Sequence, residues 1–386
     1  MLLDRDRLDR RVDALGAELS GLARRIHEHP ELCYEERQAS SWIAECVEQH
    51  GVRVERGAGG LETAFVARAG GAGPKIAILA EYDALPEIGH ACGHNLIAAG
   101  AVGAFLALAP EAANLGGSVE LIGTPAEEGG GGKIRLMDAG VFDGVDAAIM
   151  FHPYDRDILA HPALCSMRIE MRFHGVPSHA AAAPHAGRSA LTACLETFRL
   201  IDSQRVRFQD GVRVHGIVTN GGQAVNIVVE HAACEFTLRA KTSAELEQVR
   251  GVALRCARGA ALACDVQVSF VEKRGYREMR NNLVMARRFG AALAALGRPA
   301  PERDDRVGAG STDMGDVSLR IPSIHPYLAI CDQGESLCHE HRFAACANSE
   351  RGMSTMLLAA KAMARTVLDL LEDQRTLEDA KHEFRS

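Results

Sequence analysis

Three apolar runs, residues 75–80, 118–123 and 147–151, each give way to side chains that bind cations or move protons. The first leads into Glu81, Tyr82 and Asp83, the second through Thr124, Pro125 and Ala126 into Glu127 and Glu128, and the third into His152. Runs this short and this apolar fit strands covered on both faces by helices, as in a parallel or mixed α/β sheet. In open α/β sheets, sites lie just beyond the carboxyl ends of such strands. The chain is thereby restricted to folds that collect reactive groups from distant segments along one sheet edge.

Between the first and second runs lies a stretch in which Cys92 and His94 flank Gly93. Cysteine, histidine and carboxylate are the side chains that hold zinc-like ions, and the glycine permits a tight bend that aims both neighbours at one point. In isolation, a buried thiol and a helix cap explain such a pair equally well. Residues 96–108, rich in alanine, leucine and glycine, read as a buried helix, which puts the pair at its entry. Glu127 and Glu128 are adjacent, so in extended chain they point opposite ways, one free to bind metal and the other to face water. Glycines 129–132 follow directly and allow close backbone approach.

Residues 8–49 read as helices broken near His29 and Pro30, with His27 and His29 as solvated flanks and not ligands. A chain of 386 residues, 47% hydrophobic, can bury the core of one large or two moderate domains. Its net charge of -8 offers no basic field for nucleic acid, and no apolar run approaches the roughly 18 residues that cross a bilayer. The start, from Met1 to Arg7, is charged from Asp4 onward and lacks the apolar core of a secretory leader, so a cytoplasmic protein is expected. Eleven scattered cysteines suit reduced thiols better than a disulfide framework.

From Cys165 the texture changes. Met167, Ile169, Met171 and Phe173 alternate with Arg168, Glu170, Arg172 and His174, the mark of a strand with one solvated face. A helix over 189–204, strands over 212–219 and 231–239, a helix over 244–263 and a strand over 265–271 complete a β-α-β-β-α-β ferredoxin-like unit. Helix and apolar-strand patterns resume after Asn281. The unit therefore reads as an insertion at 165–281, dividing the first domain into 1–164 and 282–386. The last part carries a turn-rich loop from Gly308 through Ala309, Gly310, Ser311 and Thr312 to Asp313. It also holds Leu337, Cys338, His339, Glu340 and His341, and closes with a helix over 350–371.

These motifs, together with residues 27–32, 81–86, Pro125 to Glu128 and Gly175 to Ala180, resemble the dinuclear-zinc aminoacylase and exopeptidase family that includes auxin-conjugate hydrolases, p-aminobenzoyl-glutamate hydrolase and β-alanyl-dipeptide dipeptidases. The likeness runs nearly end to end. It implies an α/β fold, a mixed-sheet dinuclear metallopeptidase catalytic domain carrying an inserted ferredoxin-like α+β lid and dimerisation domain. It implies two divalent ions, zinc first with manganese or cobalt as alternatives, held by Cys92, His94, Glu128, His152 and His339, with Cys92 bridging. His339 is chosen over His341 because it stands four residues before Phe343, as the family's final ligand stands before an aromatic. Asn95 replaces an aspartate common in auxin-conjugate hydrolases, and Glu81 stands where other branches place a ligand histidine, so Glu81 is left outside the metal shell. This wording favours the p-aminobenzoyl-glutamate and β-alanyl-dipeptide branch.

By the same likeness Glu127 is the general base, taking a proton from the attacking water and passing it to the departing nitrogen. Asp83 supports the site. His179 resembles the histidine that reaches into a partner subunit's site to steady the oxyanion, which implies a homodimer or larger assembly. Asn226 and Arg239 match lid positions that hold substrate, Arg239 being shaped to fork onto a carboxylate, while Gly310, Ser311 and Thr312 offer backbone donors that Asp313 would oppose. The expected reaction is hydrolysis of an amide bond in an N-acyl amino acid, dipeptide or aryl amide. A catalytically silent binding or scaffold protein on the same fold is the alternative; it would be expected to lack a ligand or Glu127, and none is missing. A thiol enzyme built on Cys92 is the third reading, disfavoured because surrounding acids raise a free thiol's pKa.

Overall fold

The computed structural model describes residues 4–304 and 310–386. Met1 to Leu3, at the head of the charged N-terminal stretch, and Gly308 and Ala309 of the turn-rich loop lie outside the described residues. In chain order the strands are β1 (Val54–Arg56), β2 (Phe65–Gly70), β3 (Lys75–Ala80), β4 (Ser118–Gly123), β5 (Ala147–Ile149) and β6 (His152–Tyr154). They continue with β7 (Cys165–His174), β8 (Arg213–Asn220), β9 (His231–Ala240), β10 (Gln267–Arg274), β11 (Ser323–Ile324) and β12 (Tyr327–Ala329).

The chain forms two compact units, one comprising residues 1–162, 279–309 and 313–386, the other 163–278 with 310–312. The divisions fall within three residues of those expected, but Gly310, Ser311 and Thr312 group with the inserted segment and not with the flanking halves. In the first unit a six-stranded sheet runs β1-β2-β4-β3-β5-β11. Strands β3, β4, β5 and β11 pair in parallel, whereas β2 is antiparallel to β4 and to β1. The sheet is therefore mixed, and its four parallel strands send their carboxyl ends to one edge. Leu19, Leu22 and Ile26, at helical spacing in Gly16–Glu28, pack in the same core as helix His94–Leu108, every residue of which is buried.

That helix corrects one expectation. Residues 94–114 are long and apolar enough to cross a bilayer by length and composition, yet 78% of the qualifying window is buried inside the protein, so its apolarity serves the core. Two further differences concern strand and helix ends. The third apolar run stops pairing in the main sheet at Ile149, and His152 opens β6, which pairs in parallel with β12 in a separate ladder. A terminal helix, Gln374–Arg385, follows the expected closing helix, which spans Glu350–Glu372; Asp373 caps the new start by accepting from Arg375 N.

The second unit is a four-stranded antiparallel sheet ordered β10-β7-β9-β8 with helices Ala190–Gln204 and Ser243–Ala263, the ferredoxin-like topology. Met167, Ile169, Met171 and Phe173 on β7 are all buried, as the alternation requires. Ser189 caps the first helix, and Thr242 with Glu245 forms a capping box on the second. Strand β8 lies at the sheet edge, with Ile217 65% exposed and Val218 40% exposed.

Candidate metal centre

Four segments meet at the carboxyl edge of β3, β4 and β5. Gly93 is left-handed, at φ 75°, and a side chain there would strike Pro153, so only glycine lets the chain turn sharply from Cys92 into the helix that His94 begins. Ala126, after β4, is also left-handed at φ 61°, and its N–H donates 2.9 Å to the buried carboxylate of Glu36. The same carboxylate accepts from Tyr34 N at 2.9 Å and from Thr63 Oγ1 at 3.0 Å. Glu36 thus fastens the backbone immediately before Glu127. Burial pushes its own carboxyl up to about 7 despite these donors.

Around the bend, one oxygen or nitrogen of each group is occupied and the other faces the cluster. His94 Nδ1 donates to Asp83 Oδ1 at 3.0 Å, while its Nε2 has no hydrogen-bond partner. Asp83 Oδ2 accepts from Glu128 N at 2.8 Å, so one carboxylate orients both a candidate ligand imidazole and a candidate ligand acid. Glu128 Oε1 likewise lacks a hydrogen-bond partner. His152 Nδ1 donates to Pro153 O at 2.6 Å, which leaves Nε2 as the available nitrogen. Burial, reinforced by His94, lowers its pKa to about 3, so the imidazole is neutral, the form that binds metal. His339, itself left-handed at φ 71°, brings Nε2 to 3.7 Å from Glu128 Oε2, whereas His341 opens the next helix and is exposed.

Two sets of donor atoms, each within 4.8 Å of one another, share Cys92: Cys92 with His94 and Glu128, and Cys92 with His152 and Cys338. Buried polar atoms without partners are rare because desolvation costs about 1–3 kcal/mol each, and a divalent cation is what His94 Nε2, Glu128 Oε1 and a thiol together fit. A hydrogen bond with Cys338, burial and the charge of Glu128 raise the Cys92 thiol well above its ordinary pKa. A free nucleophilic thiolate is therefore disfavoured there.

Glu127 occupies a different cluster, with Glu81 and Asp313, all three buried. Lys133, fully buried, ion-pairs with Glu81 and with Asp313 at 2.6 Å, and its backbone N–H donates to Asp313 at 3.0 Å. Burial opposes the charge on Lys133, but Asp313, Glu81 and Glu127 outweigh it and hold the ammonium firmly protonated. Burial first, then Glu81, Glu128 and Asp313, push the Glu127 carboxyl well above the usual range, giving a proton acceptor matched to neutral pH once cations offset its neighbours. Gly132 lets the helix bearing Lys133 start against the Pro125 carbonyl, which a side chain would overlap. Asp313 is consequently neutralised by Lys133, which corrects the expectation that its charge opposes an anion at the preceding loop.

In the second unit, Arg239 Nη1 donates to Ser311 Oγ at 3.1 Å, and Gly310 O accepts from Leu164 N at 2.7 Å. Thr312 is buried. His179 is exposed and bridges Ile227, next to Asn226, whose carbonyl accepts from Ala180 N. Its Nδ1 accepts from Ala181 N at 3.2 Å and Ala182 N at 3.1 Å, which leaves the ring proton on Nε2. Lys133, Glu36 and Cys338 escaped the sequence reading. For Cys338 a signal existed, a cysteine beside the chosen His339. Lys133 carried only its position in the glycine run, and Glu36 carried none.

The sequence profile of peptidase family M20/M25/M40 matches residues 77–368. The Xaa-Arg dipeptidase of Mus musculus is 36% identical over 393 residues, covering 97% of this chain and 90% of the relative. A p-aminobenzoyl-glutamate hydrolase chain of Escherichia coli (strain K12) is 29% identical over 451 residues, covering 97% of this chain and 94% of that relative. Among solved structures, a dinuclear metal-binding peptidase of the M20 family from Bacillus subtilis superposes with a TM-score of 0.73 at 22% identity, covering 92% of this chain and 99% of that one.

Proposed function

We propose, for a chain that belongs to peptidase family M20/M25/M40 and hydrolyses amide bonds, that two divalent ions held about Cys92 serve a dipeptide, N-acyl amino acid or aryl amide substrate. The observation that carries this is the pair of donor sets sharing Cys92, with His94 Nε2 and Glu128 Oε1 buried and without hydrogen-bond partners. Cys92, His94, Glu128, His152 and His339 would hold the ions, and Asp83 orients His94 and Glu128. The thiolate favours zinc, with manganese or cobalt as alternatives. When bound, such ions lower the pKa of water and polarise the scissile carbonyl. Glu127 takes the proton from the attacking water and delivers it to the leaving nitrogen. Arg239, paired with Ser311, holds the substrate carboxylate, with Asn226 and the loop from Gly310 to Thr312 beside it.

The names of the two relatives bracket the substrate: one cuts before arginine, the other releases glutamate from an aryl amide, and both products carry the carboxylate that Arg239 suits. Hydrolysis of an Xaa-Arg dipeptide or of p-aminobenzoyl-glutamate by metal-loaded protein, abolished by chelator and restored by zinc, is the expected result. A loaded sample inert toward dipeptides, N-acyl amino acids and aryl amides alike sinks the reading. The eleven unpaired cysteines support a reducing, cytoplasmic setting.

His179, with its proton on Nε2, is suited to donate to the oxyanion, and we place it in a partner subunit's site. The apolar edge strand β8 supports a homodimer joined along that edge. Co-expressed His179→Ala and Glu127→Gln chains, each inactive alone, then regain up to about half of wild-type activity per heterodimer, since one site has both groups. No recovery despite proven exchange of subunits removes His179 from the neighbour's site.

A further inference from the structure

Two neighbouring residues, Cys338 and His339, face the two donor sets separately. His339 N donates to Ala91 O at 2.9 Å, clamping this loop against the residue before Cys92, and the left-handed backbone of His339 turns the chain between them. His339 Nε2 comes to Glu128, while Cys338 Sγ lies within 4.8 Å of both Cys92 Sγ and a ring nitrogen of His152. The nitrogen that His152 has available is Nε2, because Nδ1 is bonded to Pro153 O. Ligand atoms on one tetrahedral zinc stand about 3.5 Å apart, so small side-chain rotations close these three onto an ion.

We infer that Cys338 is a further metal ligand, completing with Cys92 and His152 a two-thiolate position beside the Cys92, His94 and Glu128 position. The inference rests on the two-ion reading above and adds that the two positions differ. One carries two sulfurs and a nitrogen, the other one sulfur, one nitrogen and a carboxylate. Soft or borderline ions such as zinc, cadmium and cobalt suit the first, and manganese is disfavoured there. The metal that activates this protein is then decided by Cys338 as much as by Cys92.

The test is cobalt(II) titration of metal-stripped wild type, Cys338→Ser and Cys338→Ala, following sulfur-to-cobalt charge transfer in the near ultraviolet. With Cys92 bridging, three sulfur–metal bonds form, so either variant loses about a third of that absorption, and one of its two ions binds at least about tenfold more weakly. Wild-type protein supplies an independent readout: zinc protects Cys338 from alkylation, read by peptide mass mapping. Two ions bound by both variants with undiminished absorption and affinity, or equal alkylation with and without zinc, overturns the assignment while leaving the two-ion centre intact. A wild-type protein that binds no cobalt at all overturns the two-ion reading itself.

Discussion

Replacing Glu127 by glutamine lowers kcat by about two to four orders of magnitude and leaves bound metal at the wild-type level. The two halves of this expectation come from different observations. Glu127 clusters with Glu81 and Asp313, apart from both Cys92-centred donor sets, so a carboxamide there removes no ligand. The carboxamide keeps the shape of the side chain but no longer accepts a proton at neutral pH, and the shuttle stops. Burial and three neighbouring carboxylates raise the pKa of Glu127, which gives it the basicity the task requires. Metal analysis and single-turnover rates on the same sample check both halves. If the variant loses metal, the roles of Glu127 and Glu128 are reversed.

Replacing Lys133 by methionine destabilises the first unit by about 3–5 kcal/mol at neutral pH, because it strands Glu81 and Asp313 as buried charges without their cation. Even with Lys133 present, burial raises the Asp313 carboxyl to about 6 from its ordinary 3.8. A carboxyl whose folded pKa lies above its unfolded one opposes folding as pH rises through that interval. With the ammonium gone the upward shift grows, so the loss in the variant is full at pH 7.5 and shrinks toward pH 5, where the acids take up protons. Chemical denaturation of wild type and variant at both pH values measures this. Equal midpoints at pH 7.5 mean that the triad contributes nothing to the fold.

Much of this architecture was legible because period and position carried it. The alternation from Met167 to Phe173 reads one solvated face directly, and three apolar runs ending in acids or histidine announce a sheet edge that gathers ligands. Cys92 and His94 were legible as a pair because glycine between them has a stereochemical purpose. What stayed hidden depends on contacts between distant segments. Lys133 meets Asp313 across 180 positions, and Glu36 holds Ala126 N across 90, neither marked by any local pattern. Residues 94–114 escaped notice as a bilayer-length stretch because scattered glycines and polar residues interrupt the apolar run, yet the whole helix packs inside. His152 was expected at the end of the third run and instead starts a second ladder, because the chain leaves the main sheet to follow Tyr327–Ala329.

The central claim is that ions gathered about Cys92 make this chain an amide hydrolase. Metal per chain and rate of amine release, measured on one stripped sample as zinc is returned, address it most directly. No hydrolysis without metal, and a rate that rises to a plateau at two equivalents per chain, is the result this account predicts. Full hydrolysis by protein stripped of metal would contradict it.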